Sequence, residues 1–447
     1  MRTSWHVAMG GLLLAGCGGN GGGEDPNAPV TLSIWRHDNA DFIRATDEAF
    51  AGYTALHPNV TFSSAPAPWW KYTATLTTDL RNNQLDSDIV IMPPASVCTY
   101  AANLADVPEE AVSLAEAQNT FFPQPLSASV CGGKLKALPI EYNLEYGGVI
   151  VNVDKFEARL GRRPGWTDWS AFIADAAALT EYDADHKPCA NGLDIDPDWP
   201  EPVRHILLSQ ILQRGGKYWA DDGVNFNFAT PAAHDSFAEM LKWVNMDRVM
   251  YTSLIPDKNT MVTVRLARGA QGYGCGNPPG PLSVMGYVGT WGLPDIISQL
   301  EPEHRNTRFE FFRLPPMVGT EHRFVQNAGF AMAVARTSPH ARVAWDVLKT
   351  VLLSPETMRT WSARAGTLPA LLANGTPELA AKDPQLAQVQ PLLAKGQWMG
   401  DIPYESTAEV LGAMVRNFFD AAKGIKSVDD ALRDMQQKAN EAIAQHR

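Results

Sequence analysis

At 447 residues the chain is too long for one ordinary hydrophobic core, so two domains are the default. A hydrophobic share of 45%, a charged share of 19% and a net charge of −12, with no long basic run, describe a globular protein and speak against a nucleic-acid partner. Thirteen tryptophans are many for this length, and side chains of that size are seldom all fully buried, so several are expected to line a surface or cleft.

Residues 1–16 carry one arginine and a short apolar run that ends in Leu14-Ala15-Gly16-Cys17. The run is too short to span a bilayer and reads as a secretory signal. Its last four residues resemble a bacterial lipobox, in which cleavage before Cys17 exposes a thiol for acylation. The plainer alternative is a secretory signal with a chance cysteine. Residues 17–29 are Gly-rich and form a flexible tether. With Cys17 set aside, Cys98, Cys131, Cys189 and Cys275 form an even set, which favours disulfides in an exported protein. There is no C-x-x-C, so no metal site and no cofactor are expected.

In chain order, 30–35 (VTLSIW) alternates as a strand and ends at the polar loop Arg36-His37-Asp38-Asn39. A helix over 40–56, a strand at 60–62, an aromatic loop with Trp69 and Trp70, a helix through Leu80 and a strand at 86–92 follow. Strand and helix in alternation imply a parallel, doubly wound sheet, whose carboxyl edge is where ligands sit. The segment 101–122 is mostly helical. Residues 135–140 and 149–151 are two apolar runs separated by Glu141, Tyr142, Asn143, Glu145 and Tyr146. Pro139 cannot donate to a ladder, so the segment reads as a crossover between two sheets with its polar groups facing a cleft; an ordinary edge hairpin is the alternative. Thr167 is the expected cap of a helix through Leu179. The acidic stretch 181–198 reads as an irregular solvated loop, without the spacing of a calcium loop. Helices are expected at 203–213 and 231–245, a hairpin around Tyr218, Trp219 and Phe226, and a Gly/Pro-rich insertion over 254–280. A strand over 284–291 leads into a Gly-x-Trp loop at Trp291. A second strand closed by proline lies at 309–314, a strand past Asn327, and a helix at 339–353. The rest is helical to the end.

No nucleophile elbow, phosphate-binding loop, zinc-protease motif or dinucleotide turn stands in a strand-to-helix setting. Glu141 and Glu145 are the best-placed carboxylate pair for glycoside hydrolysis, with nothing else in support. Aromatic residues beside polar ones at strand ends remain: Trp35 with Arg36, His37 and Asp38; Trp69 and Trp70; Trp291 after Gly289-Thr290. Sugar rings offer apolar C–H faces to indole and hydroxyls to carboxylates, amides and guanidinium. Each tryptophan also has a plain reading as core packing.

The order and spacing of several motifs make the chain resemble the family 1 extracellular solute-binding proteins of ABC importers, relatives of maltose-binding protein. They are Cys17, Leu32-Ser33-Ile34-Trp35, His57-Pro58-Asn59-Val60, Asp88-Ile89-Val90, Gly133-Lys134 through Leu138-Pro139, and Val151-Asn152-Val153-Asp154. Further along come Gly165-Trp166-Thr167-Asp168-Trp169, Gly289-Thr290-Trp291, Ala344-Trp345 and Gly366-Thr367-Leu368-Pro369. The insertion around Cys275 and the Trp69-Trp70 pair depart from the general pattern. The resemblance implies an α/β fold of two lobes joined by three crossovers, expected near 140–146, 310–314 and 352–355. Lobe I would then be 30–141 plus 312–352, and lobe II 142–311 plus 353–447. It further implies a non-catalytic protein that closes on a sugar or oligosaccharide, partners with ABC permease subunits, is held to the membrane through a lipid anchor and works as a monomer in the cell envelope. Capture of another solute, such as a polyamine, phosphodiester or amino-acid derivative, and a lipid-anchored enzyme on polysaccharide are the rivals. The implied ligand set is Trp35, Arg36, His37, Asp38, Trp69, Trp70, Glu141, Asn143, Glu145, Trp291 and Asn327. On the implied lobes, a bridge across them would block closure, so Cys98 is expected to pair with Cys131 and Cys189 with Cys275.

Overall fold

The computed structural model describes residues 28–446, apart from 83, 143–146, 196–200, 252–260, 273–274, 276–281, 327–328, 377–396 and 399–403. Cys17, Asn143, Glu145 and Asn327 lie outside the described residues, as do the side chains of Trp69 and Trp70. The chain opens with β1 (Val30–Trp35), α1 (Ala40–Leu56), β2 (Val60–Ser64), α2 (Trp69–Arg81) and β3 (Ile89–Met92). Trp69 and Trp70 therefore begin a helix rather than sit in a loop. β1 pairs in parallel with both β2 and β3, which is the doubly wound start the sequence implies. Asp88 fixes this arrangement: its carboxylate accepts from the Ser33 N–H and hydroxyl at 2.8 Å and from the Ser338 hydroxyl at 2.5 Å.

Next come α3 (Pro94–Thr99), α4 (Leu114–Thr120), α5 (Pro123–Ser127), β4 (Val130–Cys131), β5 (Lys134–Leu135) and β6 (Leu138–Pro139). The chain then enters a second sheet through β7 (Gly148–Asn152), α6 (Val153–Leu160) and α7 (Trp169–Leu179). Asp168, not Thr167, caps α7, accepting from the Ala171 N–H at 2.9 Å; Asp at this position brings a full negative charge to the positive helix end. The surrounding Gly-Trp-Thr-Asp-Trp motif is structural. Trp166 donates to Asp175 at 2.8 Å, and Trp169 packs on Trp243 at 5.1 Å between ring centroids.

The second sheet continues with β8 (Glu181–Tyr182), β9 (Pro188–Asp194), α8 (Glu201–Gln213), α9 (Pro231–Asn245), α10 (Val262–Ala270), β10 (Ser283–Gly286), α11 (Gly292–Ser298) and β11 (Phe309–Arg313). β12 (Val325–Gln326), β13 (Ala331–Val334), α12 (Ala341–Leu352), α13 (Pro355–Ala365), β14 (Gln397–Trp398), α14 (Tyr404–Ala422) and α15 (Val428–His446) complete the described elements. The first sheet has the order β2-β1-β3-β13-β6 and the second β11-β7-β10-β9-β8, each with its own apolar core.

Both predicted disulfides are present, Cys98–Cys131 and Cys189–Cys275, each with Cα atoms 5.2 Å apart. The first lies within the first lobe. In the second bridge, Cys189 belongs to β9 of the second sheet.

Two crossovers differ from the sequence reading. β11 stays paired with β7 through Arg313↔Gly148, and Leu314, Met317, Phe324 and Val325 belong to the second lobe's core. The switch back to the first sheet therefore falls after Gln326 and before β13, not at 310–314. Pro315 ends the ladder but not the lobe. The third crossover is also later than 352–355. α13 packs on α1: Trp361 meets Phe42 at 5.0 Å between ring centroids, and Arg364 pairs with Glu48 at 3.1 Å. Ser354 caps α13, accepting from the Thr357 N–H, with Pro355 at its first position, so Ser-Pro is a corner between two helices of one lobe. Residues 353–365 thus join the first lobe, and α14 and α15 cover the second.

Candidate functional site

The carboxyl ends of β1 and β10 each feed a loop and then a helix start. Gly366, at the end of α13, lies so close to Thr290 and Pro294 that a Cβ there would fall 2.9 Å from the Thr290 carbonyl oxygen and 2.7 Å from Pro294 Cδ. Asp41, in the first turn of α1, lies near enough to Asp295, in the first turn of α11, to help raise its carboxyl pKa. Burial is the larger cause of that rise, and hydrogen bonds with Thr263 and Gln299 oppose it. In open α/β sheets the carboxyl edge is where ligands are taken, and the loops after β1 and β10 both lie at such edges.

On the first lobe, strand alternation continues past β1 and decides what each candidate does. Trp35 is half-buried and stacks on Tyr72 at 6.3 Å between centroids, on the α2 side of the sheet. Arg36 falls on the opposite side, against α1. Its guanidinium donates to Asp47 at 2.7 Å, to Ser64 at 2.7 Å and to the Ile43 carbonyl at 3.3 Å. It is buried and spent on structure, which departs from its expected role as a ligand contact. His37 is 4% exposed and stands among Phe42, Tyr72 and Phe330, with centroids 4.8, 5.7 and 5.1 Å away. Its Nδ1 accepts from the Asn39 N–H at 3.2 Å. Burial, and then the neighbouring Arg36 charge, lower its pKa to about 4, so the ring is neutral at physiological pH. Asp38 is exposed at the loop tip.

Glu141 also departs from the expected cleft-facing position. It is fully buried, bridges Pro369 in a strand-like pair, and accepts from the Phe330 N–H at 3.1 Å. The cause is its place between crossovers, where three strands of chain converge and leave no path to solvent.

On the second lobe, β10 stops at Gly286, and Trp291 takes the position just before α11 instead of ending a strand. Its indole is half-buried, resting against a small apolar cluster that includes Tyr142, Leu293 and Leu368. The second lobe also holds a group the sequence did not disclose. Asp194, the last residue of β9, is fully buried and accepts from Arg265 of α10 (Nε, and Nη2 at 3.0 Å) and from the Ser283 hydroxyl. Arg265 falls in a stretch that reads as an insertion, and Asp194 in one that reads as a loop. The signal present was the spacing of Val262, Leu266 and Ala267. Asp295 lies four residues after Trp291, at the helix start that the Gly-Leu-Pro-Asp run marks. Among the described residues no cluster of three or more His, Cys, Asp or Glu has the geometry of a metal site.

A family model described as bacterial extracellular solute-binding protein matches residues 48–388. The chain belongs to this family. Membership makes it a binding protein rather than an enzyme and places its work outside the cytoplasm. Among the described residues no helix is long and apolar enough to cross a membrane. A comparison with curated proteins gave no match. Solved structures share the fold at low identity. The cyclic α-maltosyl-1,6-maltose binding protein of Arthrobacter globiformis is 20% identical, with a TM-score of 0.70 over 94% of this chain and 100% of that one. The GacH receptor of Streptomyces glaucescens, studied with acarbose, is 16% identical, with a TM-score of 0.73 over 93% and 99%. A solute-binding protein of Thermotoga lettingae bound with α-D-tagatose is 14% identical, with a TM-score of 0.73 over 92% and 99%. The fold is thus the two-lobed one of maltose-binding proteins.

Proposed function

We propose that the protein captures a sugar or oligosaccharide between its lobes and delivers it to the permease of an ABC importer, working as a monomer tethered through acylated Cys17. The observation that carries the reading is the half-buried indole of Trp291 on the loop between β10 and α11; we take it to face the exposed Asp38, on the loop after β1, across the ligand. An indole face with hydrogen-bonding groups opposite suits a sugar ring. The ligands of the three structural relatives are carbohydrates or a carbohydrate analogue, which supports the class without fixing the member. Trp69, Trp70, Asn143, Glu145 and Asn327 complete the proposed ligand set.

A thermal-shift screen of mono- and oligosaccharides beside polyamines, phosphodiesters and amino-acid derivatives tests this. A sugar is expected to raise the melting temperature; a rise with only the other classes would overturn the reading. For the anchor, Cys17→Ala is expected to leave an unprocessed precursor or a soluble product. Normal recovery of that variant in the membrane fraction would count against lipidation.

A further inference from the structure

α13 ends on Gly366 in the left-handed region, φ +72°, a helix end that glycine favours. α6 ends the same way on Gly161, φ +69°. The two sites differ in one respect. A Cβ added at Gly161 would meet nothing within 4 Å. A Cβ added at Gly366 would lie 2.7 Å and 2.9 Å from Cδ and Cγ of Pro294 and 2.9 Å from the Thr290 carbonyl oxygen. Those neighbours belong to the other lobe and flank Trp291. Pro294 is a ring inside α11, and Thr290 offers backbone, so neither can swing aside as a long side chain would. Gly366 is itself anchored in the first lobe, because α13 packs on α1 and the Gly366 N–H donates to Ser362. The segment that follows is tied to the first crossover. The Tyr142 N–H donates to Leu368 at 2.7 Å and the Ala370 N–H to Ile140 at 3.2 Å.

We propose that Gly366 is a positioning residue: its missing side chain forms the seat on the first lobe against which the 290–294 turn rests, and so fixes where Trp291 stands and how closely the lobes approach. A methyl group at 366 would wedge this contact and carry Trp291 away from the first lobe. That Trp291 touches a sugar rests on the function proposed above. The seat itself does not, and ligand-free measurements separate the two.

The test uses the full chain labelled with 5-fluorotryptophan, the Trp291 resonance being assigned through Trp291→Phe. Interlobe distance is read from spin labels at Leu56→Cys and Met246→Cys in a Cys17→Ser background, both sites being highly exposed, at 73% and 71%. Gly366→Ala is expected to shift the Trp291 resonance and lengthen the interlobe distance without ligand. Gly161→Ala carries the same backbone strain with no contact and is expected to change neither. Pro294→Ala removes the two clashing ring atoms and leaves the contact with the Thr290 carbonyl, so Gly366→Ala with Pro294→Ala is expected to return part of both shifts. The proposal is overturned if Gly366→Ala and Gly161→Ala behave alike, or if the double variant shows no recovery. Should Gly366→Ala fail to fold, Pro294→Ala alone decides. Loosening the seat must move the Trp291 resonance, and an unmoved resonance overturns the proposal.

Discussion

His37 illustrates how one side chain at a strand end joins electrostatics to stability. In the unfolded chain its imidazole takes a proton near pH 6.5, whereas in the folded protein it stays neutral down to about pH 4. Between those values the unfolded state binds more protons, so stability falls as pH drops through this window and levels off below it. The loss is up to about 3 kcal/mol, at about 1.4 kcal/mol for each pKa unit. His37→Asn keeps an acceptor for the Asn39 N–H and removes the titration. Its unfolding free energy is expected to change less between pH 6.5 and 4 than that of the parent, and equal slopes in denaturant titrations would refute this. Trp291 is the other decisive residue. If a ligand ring stacks on it, Trp291→Ala is expected to weaken binding of the sugar found by thermal shift by about 2–4 kcal/mol, the range of an aromatic hot spot. The half-buried indole leaves the lobe able to fold without it, so calorimetry and melting temperature together distinguish a ligand wall from core: unchanged affinity removes Trp291 from the site.

At the level of elements, the first lobe was far more legible than the second. β1, α1, β2 and β3 carry strong apolar periodicity and sit where the pattern puts them. β9 did not show itself, because Pro188-Cys189-Ala190-Asn191-Gly192-Leu193-Asp194 has almost none of the β-branched and aromatic residues that mark strands. It is a strand because of its setting. Gly192 lies under α7, where a Cβ would strike the Ala176 carbonyl oxygen, and β10 and β8 pair with it on either side. The Asp194–Arg265 pair ties β9 to α10 across that same poorly marked region. Arg265→Met would strand a buried carboxylate with Ser283 as its remaining named donor, and is expected to destabilise the protein by about 3–5 kcal/mol. Adding Asp194→Leu should recover much of the loss, since replacing both charges removes the desolvation cost. A denaturation midpoint in the double variant no better than in the single one would refute that account. The disulfides were readable from the parity of the cysteines and the constraint of lobe motion. Replacing Cys98 and Cys131 together by serine is expected to cost about 2–4 kcal/mol while leaving the folded spectrum intact, by urea unfolding.

Across the whole molecule, the lobes are joined where three separate passages of the chain converge, and Glu141 touches all of them. It lies on the first passage, its carboxylate accepts from Phe330 after the second, and its backbone bridges Pro369 on the third. Gly329 makes the approach feasible: at φ +77° it lies where a Cβ would come within 2.6 Å of the Glu141 backbone oxygen and Cγ. Sequence reasoning located the first passage because Pro139 and the paired glycines mark it, but misplaced the other two. A proline can end a ladder or begin a helix without the chain leaving its lobe, and only tertiary pairing reveals which occurs. The same reasoning made Glu141 a ligand contact because polar groups on a crossover were expected to face the cleft. Its burial argues for a role in the joint, and the two roles predict different outcomes. Glu141→Ala removes the acceptor of a buried hydrogen bond, and is expected to lower stability by about 1–3 kcal/mol whether or not ligand is present. Glu141→Gln retains an oxygen that can accept from Phe330, so it should recover part of that stability and bind the identified sugar with nearly parental affinity. A carboxylate that instead held a sugar hydroxyl would give the reverse pattern, with Glu141→Gln losing affinity and keeping its melting temperature. Melting curves and calorimetric titrations of both variants decide between the joint and the cleft.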